Sequence, residues 1–382
     1  MVAFMPHPNC LVEDQWDVVR QYLPLELDEH AREHGAMRRR RGQISSAEQL
    51  LRVLLMHIAG GLSLEQTVGR ARQRGLASLN AMALHKRLCS SDGWLRALTA
   101  HLLKGLQPAI AGSGNWSAGG RRFRILDATT ISEPGSTGTD WRLHYGLRLP
   151  DLCCDFFELT DSRGGETLRR LPLQPGDVVL LDRAYNDRQA VAQALDAGAS
   201  VLLRYNSGAF PLLNAKGLPL DLLSKLRKLR IGQTGQWNVW FEDKSKARHA
   251  LRVCAVRKSP GESLRAERRA TRKAQRKAEQ VRPCTLEYAR YVIVLTDLGE
   301  EEMPVEAVLE FYRARWQVEL AFKRLKTLLE LGQLPKKKAR SSLAWMQGKI
   351  LCALLIERLL CEARRLSPWG YPLRGAEPLD AL

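Results

Sequence analysis

The chain has 382 residues, of which 45% are hydrophobic and 26% are charged, a composition typical of a folded protein with two or three domains. Its 59 Lys and Arg residues against 41 Asp and Glu residues give a net charge of +18, which favours a polyanionic partner, either nucleic acid or an anionic membrane surface. No apolar run is long enough to span a bilayer, the first residues do not form a signal peptide, and the eight cysteines and eight histidines show no zinc-binding spacing. The composition therefore excludes a membrane-spanning protein and a zinc hydrolase, and it predicts a cytoplasmic protein with reduced cysteines.

Residues 1–110 are predicted to form short helices joined by glycine turns. Capping-box patterns at Ser45 and Ser63 each open a helix, and further helices are expected over 80–89 and 93–106. Basic side chains on these helices favour a DNA-binding domain of the helix-turn-helix kind. An ordinary helical bundle with a basic surface is the alternative.

A first aspartate lies inside a predicted strand. Residues 111–120, rich in Gly, Ser and Ala, predict a linker, and the stretch RFRILDATT at 122–130 predicts a short buried strand with Asp127 at its centre. A carboxylate within an apolar strand is costly unless it is paired, and a divalent cation is a common partner. A capping or turn aspartate is the alternative.

A second aspartate ends another apolar strand. Two strands over 141–147 and 153–160 complete an antiparallel meander, a short helix is expected at 166–171, and VVLL at 178–181 ends in Asp182. A helix and a further strand follow. This order of elements resembles the ribonuclease H fold, which would bring Asp127 and Asp182 onto neighbouring central strands.

Residues 206–290 are predicted to be an inserted, β-rich domain. Two strands are expected at 237–242 and 250–256, and residues 263–282 are strongly basic. That basic segment is either a solvated helix or an arm that lies along phosphates. A strand at 291–296 returns the chain to the core.

Residues 311–332, FYRARWQVELAFKRLKTLLELG, are predicted to form one helix because they contain helix formers and no internal Gly or Pro. Tyr312, Arg315, Glu319 and Lys326 would lie within an arc of roughly 60° on this helix. A solvated face with an ordinary Arg315–Glu319 pair is the alternative. Beyond it, Lys336, Lys337 and Lys338 form a basic cluster suited to phosphates, and a long apolar helix is expected over 341–366.

The spacing Tyr-x2-Arg-x3-Glu-x6-Lys in this helix resembles the signature of the DDE transposases of the insertion-sequence-four type, relatives of the Tn-five transposase. Asp182-Arg183-x-Tyr185 is similar to the second-aspartate motif of that family, and SLNAMALHKRL followed by SSDGWL resembles its N-terminal region. The resemblance covers about residues 40–360.

The resemblance implies that Asp127, Asp182 and Glu319 are catalytic carboxylates that bind two Mg²⁺ ions, for which Mn²⁺ can substitute. It implies that the other signature residues grip phosphates around the scissile bond, as does Arg183. It also implies that Tyr291 stacks on a flipped base, although the family often has Trp there. The DNA-binding set is Tyr312, Arg315, Lys326, Arg183, Tyr291, Lys336, Lys337 and Lys338.

The fold class implied is α/β, with a ribonuclease-H-like catalytic core, an inserted β domain, an N-terminal helical DNA-binding domain and a C-terminal helical region. The predicted boundaries are 1–110 for the helical domain, 111–120 for the linker, 121–205 and 291–335 for the core, 206–290 for the insertion and 336–382 for the C-terminal region.

The function implied is cut-and-paste transposition by a homodimer on double-stranded DNA, with nicking of the element's ends, hairpin formation and joining of the 3′-ends to target DNA. Two other functions stay open. One is a non-catalytic, regulatory DNA-binding derivative, and the other is a nuclease that acts on RNA–DNA hybrids. An intact set of three carboxylates argues against the first, and the N-terminal helical domain argues against the second.

Overall fold

The computed structural model describes residues 16–37, 44–106, 120–149, 152–276, 278–335 and 339–365. The chain divides into two compact units. The first comprises Met1–Ala111, Ile131–Asp140 and Lys323–Leu382, and the second comprises Gly112–Thr130 and Trp141–Phe322. The predicted linker, apart from Gly120, and the predicted basic cluster of three lysines lie outside the described residues.

Short helices build the first unit, and local capping sets where they begin. They are α1 (Trp16–Arg20), α2 (Leu27–Glu33), α3 (Ala47–Ile58), α4 (Leu64–Gln73), α5 (Ala81–Cys89) and α6 (Asp92–Leu106). Ser63 and Gln66 form the predicted capping box of α4, and Asn80 caps α5. The helix predicted to open at Ser45 is instead capped by Ser46, whose hydroxyl accepts a first-turn amide.

The long C-terminal helix α13 (Ala339–Arg365) confirms the helix predicted over 341–366 and packs against α3, α5 and α6. Its close approach to α3 depends on Gly348, because an added methyl group there would clash with the side chain of Ile58. Neither α13 nor any other helix among the described residues combines the length and the apolarity that crossing a bilayer requires.

A mixed sheet of eight strands forms the second unit, with helices around it. The strands are β1 (Arg122–Ile131), β2 (Trp141–Arg148), β3 (Cys154–Asp161), β4 (Asp177–Leu181), β5 (Ser200–Arg204), β6 (Thr234–Glu242), β7 (Arg248–Arg257) and β8 (Tyr291–Thr296). Their order is β3-β2-β1-β4-β5-β8-β7-β6, with β1, β4 and β5 parallel and β6, β7 and β8 antiparallel. The chain is therefore a mixed α/β protein.

The strands predicted within 206–290 continue the central sheet through β8, and their inward-facing side chains join the same apolar core. The strongly basic segment is an exposed helix, α9 (Pro260–Gln275), with a capping box at Ser259 and Glu262. The remaining helices of this unit are α7 (Arg188–Asp196), α8 (Leu222–Leu226) and α10 (Pro283–Ala289). The short helix predicted at 166–171 is only the 3-10 turn Leu168–Arg170.

The helix predicted over 311–332 is interrupted, so the prediction of one continuous helix was wrong. Helix α11 (Val305–Arg313) is followed by a 3-10 turn at Ala314–Trp316 and then by helix α12 (Gln317–Leu328). Two tertiary contacts hold this segment, because the Tyr312 hydroxyl, just before the turn, and the Arg315 guanidinium, within it, each bind the sheet. A 3-10 turn advances about 120° per residue instead of 100°, which shifts Glu319 relative to the single stripe predicted from sequence.

Candidate active site

Two aspartates lie side by side at one edge of the sheet. In the parallel pairing of β1 with β4, Leu126 is opposite Leu181, so the next residues along the two strands are Asp127 and Asp182. Neighbouring strands are about 4.8 Å apart, which brings the two carboxylates into electrostatic contact. The predicted juxtaposition of the two aspartates on neighbouring strands is confirmed.

Arg315 links the third predicted carboxylate to this edge. Its guanidinium donates one hydrogen bond of 3.0 Å to Oδ2 of Asp127 and another of 2.6 Å to Oε1 of Glu319. The Asp127 side chain is 17% exposed and that of Glu319 is 58% exposed. Glu319 is thus the outer member of the set, held to the inner aspartate through a cation.

Tyr312 supports the end of strand β4 from behind. This residue is buried, and its hydroxyl donates a hydrogen bond of 3.1 Å to the carbonyl oxygen of Leu181, the residue before Asp182. Burial raises the pKa of the phenol, and the negative charge of Asp182 adds to this effect, so Tyr312 stays a neutral donor. The hydrogen bond holds the backbone at the last residue of β4 and thereby helps to position Asp182, which follows it.

Burial raises the pKa of Asp127 to about 6, although the Ala128 amide and Arg315 oppose that shift. The negative charges of Asp182 and Glu166 raise the pKa of Asp127 further, because they disfavour a third ionised carboxylate nearby. A site that concentrates carboxylates in this way favours a bound cation, and Arg315 supplies the positive charge in this structure.

Sequence reasoning missed Glu166. It follows the turn after β3 and lies 3.6 Å from Nε of Arg142, while the negative charge of Asp182 and, above all, burial raise its pKa. Tyr185 belongs to the same surroundings: it is buried, and its hydroxyl has no hydrogen-bond partner in the described part of the chain. Tyr185 was visible as part of the Asp182 motif, but no periodicity or spacing singles out Glu166.

The other predicted DNA-binding residues occupy different environments. Arg183 is exposed next to Asp182, and Lys326 is exposed on α12. Tyr291 is only 2% exposed and belongs to the apolar core of the sheet. Lys336, Lys337 and Lys338 lie outside the described residues.

The donor set fits a hard divalent cation in its chemistry. Asp127, Asp182 and Glu319 offer carboxylate oxygens, the ligands that Mg²⁺ prefers. Within the described ranges, no group of three or more His, Cys, Asp and Glu side chains is assembled closely enough to hold a metal ion. The reason is visible in the site, because Arg315 stands between Asp127 and Glu319.

Comparisons with known proteins give a consistent result. A family model described as the transposase DDE domain matches residues 159–355. The transposase InsL of element IS186A from Escherichia coli K12, itself described as putative, is 36% identical over 356 residues, which cover 91% of this chain and 94% of that protein. The transposase of element IS421 from Escherichia coli is 36% identical over 357 residues with the same coverage.

Two further matches are more distant. The transposase of element IS231C from Bacillus thuringiensis subsp. berliner is 22% identical over 279 residues, or 64% of this chain and 58% of that protein. A solved structure of the piggyBac transposase synaptic complex with hairpin DNA aligns with 92% of this chain and 76% of that chain. Its TM-score of 0.45 and identity of 10% are too low to support an argument.

Proposed function

Because this chain belongs to the DDE transposase family of the insertion-sequence-four type, we propose that it is an active enzyme that cleaves the ends of its insertion sequence and joins the 3′-ends to target DNA. The observation that carries the proposal is the pairing of Leu126 with Leu181, which sets Asp127 beside Asp182, together with the Arg315 bridge from Asp127 to Glu319.

The catalytic core in this proposal is a ribonuclease-H-like sheet. The strand order β3-β2-β1-β4-β5, with three adjacent parallel strands and an antiparallel β2–β3 pair, supports it. In such a core the acidic residues gather where the pairing of the central parallel strands ends, and both aspartates directly follow the last paired residues of β1 and β4, Leu126 and Leu181. Strands β6 and β7, from the segment proposed as an insertion, lengthen this sheet at its β8 side.

Asp127, Asp182 and Glu319 are the residues that would hold two divalent cations, Mg²⁺ or Mn²⁺. When bound, such ions supply an activated water or 3′-hydroxyl and stabilise the leaving oxygen of the phosphodiester. The chain's own contribution is positioning. Tyr312 fixes the backbone before Asp182, and Arg315 balances the charge of the carboxylates.

Exposed cations are proposed to bind phosphates of the DNA. Arg183 follows Asp182 directly and Lys326 lies on α12, and each offers a charge to phosphates of the bound DNA. Lys336, Lys337 and Lys338 are proposed to do the same. Tyr291 is proposed to meet a flipped base, which requires strand β8 to expose it on DNA binding because it is 2% exposed here.

The partner is double-stranded DNA at two ends of the element, and we propose a homodimer in which each subunit handles one end. Hairpin intermediates and cleavage in trans are part of the same proposal. The net charge of +18 supports the choice of a polyanion.

The test uses the DNA that flanks the coding sequence. Purified protein is incubated with end-labelled duplexes in Mg²⁺, Mn²⁺ or chelator, and the products are resolved on a denaturing gel. Metal-dependent cuts at the repeat boundaries are expected from the wild type and from Asp196→Ala, an exposed aspartate at the end of α7, and not from Asp182→Ala. Binding without cutting in every metal would instead favour a regulatory, non-catalytic derivative.

A further inference from the structure

The row of side chains at the catalytic edge continues beyond the two aspartates. Strand β4 pairs with β5 in parallel, with Leu181 opposite Leu203. The next residues are Asp182 and Arg204, so a partly buried arginine follows the aspartates on the adjacent strand. The charge of the side chains along this edge thus changes from negative at the end of β4 to positive at the end of the adjacent strand β5.

A second cation converges on the same place. Arg204 donates a hydrogen bond of 3.2 Å to the carbonyl oxygen of Tyr291, and the ammonium group of Lys258 donates one of 2.7 Å to the carbonyl oxygen of Ala289. The two carbonyls are two residues apart at the start of β8. Lys258, which follows β7, is therefore held near Arg204 although the two are far apart in sequence.

These side chains repel one another. Burial lowers the pKa of Lys258 to about 8, and the positive charges of Arg204 and Arg183 contribute to that shift. Burial and the charge of Arg183 also lower the pKa of Arg204, to about 10. In the described part of the chain, none of the three forms a salt bridge with a carboxylate, and the negative charges of Glu262 near Lys258 and of Asp182 near Arg204 act on them without a direct ion pair.

A helix extends this positive region. Arg265, Arg269 and Arg272 on α9 and Arg276 at its C-cap are exposed and fall within about 60° of one another around the helix axis. Its opposite face carries small, partly buried residues and packs against α10. The charge of Arg269 acts on Lys258, and one turn further along the helix the charge of Lys273 acts on Glu166 beside the catalytic aspartates.

We propose that Arg183, Arg204 and Lys258 form a subsite for a DNA phosphodiester next to the catalytic carboxylates, and that the arginine stripe of α9 continues it along the same DNA backbone. A phosphate would supply the negative charge that this cluster lacks, and phosphates about 7 Å apart along a strand would meet the arginines that recur at each helical turn. The inference rests on the proposed function, because it places the element's DNA across this edge of the sheet.

The test measures DNA binding without cleavage. Binding of a fluorescent duplex carrying the presumed terminal sequence is followed by anisotropy in chelator from 50 to 300 mM salt. The variant Arg265→Gln, Arg269→Gln, Arg272→Gln removes three exposed charges and is expected to weaken binding about tenfold or more at 0.1 M salt and to reduce the slope of log K against log salt by about 2 to 3. The matched control is Lys228→Gln, Lys244→Gln, Lys246→Gln, which removes three exposed lysines elsewhere on the unit.

Lys258 is tested separately because it is partly buried. Lys258→Gln is expected to lower the salt slope by about 1, and Lys258→Arg to restore it, with thermal melting used to confirm that both variants fold. If the α9 variant and its control changed binding equally, the α9 arginines would not contact the DNA backbone as proposed. If folded Lys258→Gln kept the wild-type salt slope, Lys258 would not belong to a phosphate subsite. Failure of the proposed function itself would appear in a different measurement, the cleavage assay, either as binding without cutting by the wild type or as cutting by Asp182→Ala.

Discussion

Arg315 donates a hydrogen bond of 3.0 Å to Asp127 across 188 residues of sequence, and its other terminal nitrogen donates to Glu319. The guanidinium therefore occupies the space between two carboxylates that are proposed to share metal ions. Since one positive charge offsets only part of the negative charge of the two carboxylates, a cation is still favoured there, but it must compete with Arg315 for Glu319. Arg315, once released, is free to meet a phosphate of the DNA.

Replacement of Arg315 by methionine tests this competition. Without the guanidinium, Mn²⁺ binding to the DNA-free protein at pH 8 is expected to tighten by about threefold or more, because the carboxylates lose their internal counter-cation. Cleavage is expected to fall at the same time, because a phosphate contact is lost. Isothermal titration calorimetry gives the affinity, and Arg313→Met, an exposed arginine paired with Glu310, is the control. Weaker Mn²⁺ binding by Arg315→Met would exclude competition.

Glu319 is predicted to matter for cleavage and not for DNA affinity. Glu319→Gln keeps the shape of the side chain but removes a charged oxygen ligand, and we expect cleavage to fall by about 10³-fold or more. Glu319→Ala should abolish strand cleavage. The affinity for terminal DNA in chelator should change little, and Glu310→Gln on the preceding helix should cleave as the wild type does. Normal cleavage by Glu319→Ala would remove this residue from the catalytic set.

Tyr312 is predicted to act through the backbone of β4. Tyr312→Phe deletes the hydroxyl that binds the Leu181 carbonyl, and loss of this buried hydrogen bond should lower the free energy of unfolding by about 1 kcal/mol. Cleavage should fall more than DNA affinity, because the variant loosens the segment that carries Asp182. Urea unfolding and binding in chelator separate the two effects. If Tyr312→Phe weakened DNA binding as much as cleavage, a direct phosphate contact would be the better explanation.

Local signals made much of the fold predictable. Ser63 and Asn80 cap helices through hydrogen bonds within a few residues, and the apolar stretches that end at Asp182 or contain Asp127 are strands, as predicted. Such patterns depend on neighbours in sequence, so a single chain is enough to show them.

The parts that sequence did not predict are long-range. The addition of β6 and β7 to the central sheet depends on the pairing of β7 with β8, which no local pattern specifies. The 3-10 turn at Ala314–Trp316 is composed of residues compatible with a helix, and it coincides with long-range contacts to the sheet from Tyr312, just before it, and from Arg315, within it. Glu166 lies in the irregular segment after the turn that follows β3, where its proximity to Asp182 leaves no trace in sequence.

His144 gives the protein a predictable acid sensitivity. It is fully buried on β2, where Nε2 is 3.0 Å from the Thr160 hydroxyl, and burial together with the charge of Arg170 lowers its pKa to about 4. Between about pH 6.5 and pH 4 the unfolded chain binds a proton at this histidine that the folded protein does not, so stability is lost as the pH falls, by at most about 3 kcal/mol.

A comparison of wild type with His144→Gln isolates this contribution. The variant cannot titrate at this position. The amount by which its unfolding free energy is lower than that of the wild type should therefore be about 2 kcal/mol smaller at pH 4.5 than at pH 7. Urea denaturation at the two pH values gives both differences. Some loss of stability at pH 7 is expected in the variant, because the substitution removes the contact of His144 with the Thr160 hydroxyl. A deficit that stays constant between pH 7 and pH 4.5 would mean that His144 is protonated in the folded protein as readily as in the unfolded chain.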